Sequence, residues 1–254
     1  IMKKALGINC AKIGIENNKP EAIAYMKKMA ASFSGTEIVP LKTKYPQGAE
    51  KQLVYALTKR EVPSGKLPIE VGCVVNNVGT ALSIYYAVQK NRPLIDNVLT
   101  FTGKSVKENK TLLVRVGTSI RSVIDYCGGL PEDTGKVISG GPMMGKAMVN
   151  LDAPTVKTTS SILVMSEKET KRKEQTNCLR CGKCVSACPM GLEPIQLSLL
   201  SKQQRWEEAE KECAMDCIEC GCCLFTCPAG QPLLDLIRVA KNNIGAIRRE
   251  RSKK

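Results

Sequence analysis

Two cysteine runs carry the most legible chemistry in this chain. The first is Cys178, Cys181, Cys184 and Cys188, followed by Pro189. The second is Cys217, Cys220, Cys223 and Cys227, followed by Pro228. Both read C-x2-C-x2-C-x3-C-P. Three thiolates in one short loop reach three corners of an iron–sulfur cubane, and the fourth, three residues further on, ligates the other cluster of a pair. The spacing therefore assigns Cys178, Cys181, Cys184 and Cys227 to one [4Fe–4S] cluster, and Cys217, Cys220, Cys223 and Cys188 to a second. The proline after each fourth cysteine restricts the backbone and turns the chain off the loop. Zinc uses paired C-x2-C knuckles or Cys/His sets, and this chain has no histidine. A disulfide framework suits a small secreted domain rather than a mixed chain of 254 residues.

Of the 13 cysteines, those outside the two runs are Cys10, Cys73, Cys127, Cys213 and Cys222. An odd remainder speaks against disulfides and for a reducing compartment. Cys10, Cys73 and Cys127 read as small buried hydrophobes. Cys222, beside Cys223, could substitute as a ligand, but the repeat favours Cys223. Neither Cys222 nor Cys213 has a recognisable resolving partner for a redox role. Hydrophobic residues make up 43% and aromatics only 4%, so aliphatic side chains must fill the core. The formal net charge is +14, and residues 244–254 are strongly basic. Such a tail reads as solvated and disordered, with an anionic lipid surface or an acidic protein as partner. Nucleic acid is not expected, because no nucleic-acid-binding signature accompanies the charge. No apolar run reaches membrane-spanning length, and no signal peptide is visible.

The elements that must position these residues follow from periodicity. Residues 11–15 and 36–41 read as strands, and 21–32, 49–58 and 78–90 as helices, an α/β alternation. Residues 71–75 are β-branched and apolar and read as a buried strand that delivers Asn76 and Asn77 to the N-terminus of the next helix. Free N–H groups there attract an anion, and asparagine capping is the simpler alternative. Residues 98–103, 111–116 and 137–139 read as strands and 119–127 as a helix, a small α+β unit. Thr102-Gly103-Lys104-Ser105 looks like the end of a phosphate-binding loop, but the motif's first glycine would fall at position 98, a valine. The turn-rich Gly140-Gly141-Pro142-Met143-Met144-Gly145 could be a tight loop or a close approach to a partner. Residues 161–165 are β-rich, and 167–175, charged with both signs, read as a linker. Residues 194–202, 206–213 and 233–241 read as helices, which makes the cluster region mainly helical and shields its clusters from water.

Six segments together resemble the RnfC family, the peripheral subunit of the Rnf ion-translocating oxidoreductase. They are GAEKQLVYALTKREVPSG (48–65), VVNNVGTAL (74–82), LLVRVGT (112–118), SGGPMMG (139–145), CLRCGKCVSACPMGL (178–192) and MDCIECGCCLFTCP (215–228). The resemblance implies α/β plus α+β architecture in three parts. Residues 1–97 would be part of an FMN- and NADH-binding α/β domain similar to the flavoprotein subunit of complex I. Residues 98–150 would be an SLBB β-grasp unit, 151–176 a linker, and 177–254 a two-cluster ferredoxin-like domain with a basic tail. In that family FMN exchanges a hydride with NADH or NAD, and the clusters carry single electrons to membrane subunits, coupled to ion movement. By the same resemblance Asn76 and Asn77 lie beside FMN, Thr80 opens the helix that follows, Glu50 matches an acidic segment near the nucleotide, and Glu16 lines the same cleft.

The family's glycine-rich flavin-phosphate segment is absent here, so the FMN site is expected to be incomplete and FMN and NADH binding to belong to a longer parent. Expected partners are other Rnf-type membrane and iron–sulfur subunits and ferredoxin, at the cytoplasmic face of a membrane. An RnfC-like cobalamin reductase is the nearest alternative. A binding module whose clusters are only structural is a third.

Overall fold

The computed structural model describes residues 1–253. Two compact units divide it, 1–92 and 93–254. In the first, α1 (Met2–Leu6) leads to β1 (Ala11–Glu16), α2 (Pro20–Ala30) and β2 (Thr36–Leu41). The strands pair in parallel, from Ala11 opposite Thr36 to Glu16 opposite Leu41, so α2 is the crossover of a βαβ unit. Pro20 sits in the first turn of α2, Glu21 follows it, and Lys27 and Lys28 close the helix, each charge on the favourable end of the dipole. Gly14 allows Leu41 to lie close, since a Cβ there would stand 2.6 Å from the Leu41 side chain. Then come α3 (Glu50–Thr58), a 3-10 turn at Pro68–Val71 and α4 (Val78–Lys90).

Residues 71–75 do not form the strand that their composition suggests. Pro68 starts the 3-10 turn, and Gly72, at φ 68°, closes it, so the run is interrupted inside its first two residues. Val74 is exposed, and the sheet of this unit has only β1 and β2 among the described residues. A β-branched apolar run signals a strand only where a neighbour offers its edge.

The second unit opens with a five-stranded sheet. Its elements are β3 (Asp96–Gly103), β4 (Lys110–Arg115), α5 (Ile120–Tyr126), β5 (Thr134–Ser139), β6 (Lys146–Ala147) and β7 (Ser161–Ser166). The order is β4-β3-β7-β5-β6; β3 and β7 run parallel and the other neighbours antiparallel. Alternate residues Leu99 and Phe101, Ile162 and Val164, and Val137 point to one face and pack on Ile120, Val123 and Ile124 of α5. Ser119 caps α5 by accepting from the Ser122 amide at 3.1 Å.

The stretch 151–176, expected as a linker, therefore supplies the central strand of this sheet. Its Ile162 and Val164 are buried, which no linker requires. The alternation is short, and its pairing partners lie far away in sequence. The helix α6 (Glu167–Thr170) follows, held by a capping box in which Ser166 and Glu169 satisfy each other's backbone amides.

The remaining elements are α7 (Lys183–Ser186), α8 (Pro194–Lys202), α9 (Trp206–Lys211), a 3-10 turn at Ala214–Asp216, α10 (Cys222–Thr226) and α11 (Leu233–Arg251). Helices α8, α9 and α11 bury Leu197, Leu200, Ala209, Ile237, Ala240 and Ile244 together. The Ser201 hydroxyl donates to the Leu236 carbonyl at 2.7 Å and ties α8 to α11. The basic end of the chain, read as disordered, is helical through Arg251. Arg248 and Arg251 reach Glu210 at 2.5 and 3.1 Å, and Arg251 reaches Glu207 at 2.9 Å. Charge that looked solvated is used to fasten α11 to α9. No helix among the described residues is long and apolar enough to cross a membrane.

Candidate metal centres

Both cysteine runs fold in the same way. Each starts with a loop, enters a short helix (α7 or α10), leaves through Cys-Pro, and turns at a glycine into a long helix (α8 or α11). The matching backbone positions share a left-handed conformation. Arg180 and Glu219 have φ 51° and 56°, Gly182 and Gly221 have 70° and 80°, and Gly191 and Gly230 have 66° and 59°. A non-glycine residue with positive φ costs roughly 1 kcal/mol. The turn aims the amides of Arg180 and Glu219 at the sulfurs of Cys178 and Cys217, each at 3.4 Å. The Leu192 amide likewise donates to the Cys188 sulfur at 3.4 Å. Such N–H···S bonds favour thiolate and help set the potential of a cluster bound there.

Helices α7 and α10 pack side by side, and this crosses the two runs. Cys178, Cys181, Cys184 and Cys227 line one cavity of about 190 Å³, with Ile195, Ala229 and Leu233 as apolar walls. Cys217, Cys220, Cys223 and Cys188 line a tighter one of about 20 Å³, walled by Leu192, Ile218, Leu234 and Ile237. Among the described residues no three His, Cys, Asp or Glu side chains converge where a single ion could sit. The thiols instead line the walls of the two cavities. Four thiols with aliphatic walls are a donor set that suits iron–sulfur ligation. The donor set fits both sites. The first has open room of about 190 Å³, whereas the second, at about 20 Å³, is too tight for a cubane as it stands.

The two sites differ in exposure. Cys178 and Cys181 of the first are exposed, whereas Cys220 and Cys223 of the second are buried; Cys227, the fourth thiol of the first, is buried as well. Burial pushes the Cys223 thiol up to about 12 and raises Cys217 and Cys184. Cys222 rises to about 11, from burial and then from its hydrogen bond with Cys220.

The second loop is clamped from two sides. The Lys241 ammonium donates to the Cys217 carbonyl at 2.6 Å and to Glu219 at 2.7 Å, and Arg238 reaches Glu219 at 2.9 Å. Burial raises the Glu219 carboxyl, but Lys241 and Arg238 outweigh it, and the net shift is downward. On the other side, the Gly140–Gly145 turn between β5 and β6 brings Met143 against the loop. A Cβ on Gly221 would stand 3.1 Å from the Met143 carbonyl oxygen. The turn is thus both a tight loop and a close approach, made within this chain. Sequence reasoning did not single out Arg238 or Lys241, and it named Met143 only within its turn; no local pattern connects them to a cysteine loop.

The residues expected near FMN lie in the first unit. The Asn77 side chain accepts from the Gly79 amide at 2.8 Å and caps α4. Asn76 and Thr80 are exposed, and Thr80 lies in the first turn of α4, which Val78 opens. Glu50 is the first residue of α3 and exposed; Glu16 ends β1 and is half-buried. Of the cysteines read as buried hydrophobes, Cys127 lies in the core of the sheet domain and Cys73 is half-buried. Cys10 is exposed, a correction to its apolar reading.

Residues 1–86 match the family model described as the Nuo51 FMN-binding domain, and residues 98–147 match the SLBB domain. The class is thus a complex I flavoprotein-like α/β domain, an SLBB α+β domain and a helical, cysteine-rich region in one chain. Over 214 residues the chain is 50% identical to the C component of the proton-translocating ferredoxin:NAD(+) oxidoreductase complex of Clostridium ljungdahlii, covering 84% of this chain and 46% of that protein. It is 47% identical over 247 residues to the C component of the Na(+)-translocating ferredoxin:NAD(+) oxidoreductase complex of Acetobacterium woodii, covering 97% and 56%. With the C component of the ion-translocating oxidoreductase complex of Yersinia pseudotuberculosis it shares 43% identity over 239 residues, covering 94% and 34%. The chain belongs to this RnfC family, and it spans between a third and about half of these relatives' lengths.

Proposed function

We propose that the chain is an electron-transfer part of an Rnf-type oxidoreductase that holds two [4Fe–4S] clusters. The observation that carries this reading is the crossing of the two runs: each cavity is walled by three thiols of one run and the last thiol of the other. A [4Fe–4S] cluster, when bound, takes up and gives back one electron at a time.

The chain's own residues supply the rest. Eight cysteines bind, amides of Arg180, Leu192 and Glu219 orient three of the sulfurs, and the aliphatic walls exclude water. No side chain is needed as nucleophile or general base for such transfer, in keeping with the absence of histidine. In the reading proposed, FMN and NAD are handled by the flavoprotein-like domain of the longer parent protein, with Asn76, Asn77, Thr80, Glu50 and Glu16 contributing to that site. The names of the relatives, components of ion-translocating ferredoxin:NAD(+) oxidoreductase complexes, support a place beside other subunits of such a complex; the cytoplasmic face of a membrane is the location this reading proposes. Anionic lipid and ferredoxin are further proposed contacts.

Iron and acid-labile sulfide analysis with EPR on anaerobically purified protein tests the reading. About eight irons and eight sulfides per chain, with two reducible signals, is the expected result. Stoichiometric zinc, or clusters that no physiological reductant reduces, would refute it.

A further inference from the structure

Building on the cluster assignment just proposed, we propose that the face around the first cysteine cavity is a cationic docking site for an acidic redox protein, and that single electrons enter or leave the chain there. Two independent features coincide on that face.

The first is access. Cys178 and Cys181 are exposed, and Leu179 between them is 66% exposed. The second cavity is closed by comparison: Cys220 and Cys223 are buried, Met143 covers Gly221, and Lys241 and Arg238 hold Glu219. A partner's redox centre can approach the first set of thiols far more closely than the second.

The second is charge. Residues 178–188 contain Arg180 and Lys183, both exposed, and no acidic residue. The segment before them runs along the same rim. The Thr176 amide donates to the Ala229 carbonyl at 3.0 Å, the Gln231 side chain donates to the Thr176 carbonyl at 2.5 Å, and both Ala229 and Gln231 line the cavity. The carbonyls of Glu174 and Lys173 in that segment lie 2.7 and 3.0 Å from where a Cβ on Gly230 would stand, and the segment carries exposed Lys171, Lys173 and Glu174, while Asp235 pairs with Arg172. Positive charge is therefore in excess around the exposed thiols. Rim charge of one sign steers an oppositely charged partner and raises its on-rate, and an exposed leucine beside the thiols gives the contact an apolar centre. Anionic lipid would satisfy the charge, but it has no use for the exposed thiols at its centre. One electron passes between partner and chain, and no bond is made or broken.

The test uses the full chain loaded anaerobically with iron and sulfide. The probe is a small acidic bacterial ferredoxin in its reduced form, mixed by stopped flow; photoreduced 5-deazariboflavin, which is neutral, is the control. The variants are Lys183→Glu and Lys173→Glu, singly and together; both lysines are exposed. The proposal expects a ferredoxin rate that falls steeply with salt and a further drop of about 10-fold in the double variant at low salt. Ferredoxin Kd weakens in parallel, and iron content and the deazariboflavin rate stay unchanged. Loaded protein whose ferredoxin rate and Kd ignore both substitutions overturns the inference and leaves the cluster assignment standing. So does loss of binding to phosphatidylserine vesicles with the ferredoxin rate unchanged, which would assign the face to a membrane. Protein that takes up no iron overturns both.

Discussion

Arg180 and Glu219 occupy the same left-handed turn in two copies of one loop, yet they carry opposite charge and meet opposite fates. Arg180 is exposed; Glu219 is drawn in by Arg238 and Lys241 on α11. Lys241 also holds the Cys217 carbonyl, so Lys241→Met removes two donations at a site where the ammonium is only 18% exposed. Losing hydrogen bonds to charged partners costs about 2 kcal/mol, which denaturant unfolding of the loaded protein should read as a lower midpoint. Gly221→Ala should cost about 1–2 kcal/mol for its positive φ, with added strain from Met143, and thermal unfolding measures it. The cysteine spacing reads directly as two sets of four, and those same sets line the two cavities. The clamp on Glu219 was illegible because its cations lie 19 and 22 residues away on a helix whose rotation the sequence does not state.

Among the elements, α11 shows how a charge pattern misleads. A basic run reads as solvated tail, but α9 places Glu207 and Glu210 where Arg248 and Arg251 can reach them. The Glu210 carboxyl is held below its usual range, first by the hydrogen bond from Arg248. A depressed carboxyl contributes stability that is present above its unfolded value of roughly 4.3 and is lost as pH falls through the folded value. The last turns of α11 should therefore gain hydrogen-exchange rate as pH drops below about 4, after correction for intrinsic exchange. Glu210→Gln should produce the same fraying at neutral pH, at a cost of up to about 1 kcal/mol. In α4, Asn77→Ala should cost about 1 kcal/mol through loss of the cap on the Gly79 amide, measured as unfolding of the first unit. The helices α4 and α8 were read from the sequence at the bounds the structure gives. The strand expected at 71–75 did not form, and the β-rich run at 161–165, which was read, was assigned to a linker and not to the sheet it completes. Strand formation depends on a neighbouring edge, which lies outside any local window.

For the whole molecule, the chain joins an α/β unit to a second unit in which a β-sheet domain and a helical cysteine region share one compact body. That second body has an open site and a closed one, built by duplicate loops with different surroundings. Each cavity is lined by three thiols of one loop and one of the other, so in the proposed reading neither loop is complete alone. The most direct test compares EPR spectra of reduced, loaded Cys227→Ser with those of Cys178→Ser and Cys217→Ser. If four thiols drawn from both runs hold each cluster, Cys227→Ser loses the same signal as Cys178→Ser and keeps about half the iron. A Cys227→Ser spectrum that coincides with that of Cys217→Ser would contradict the account.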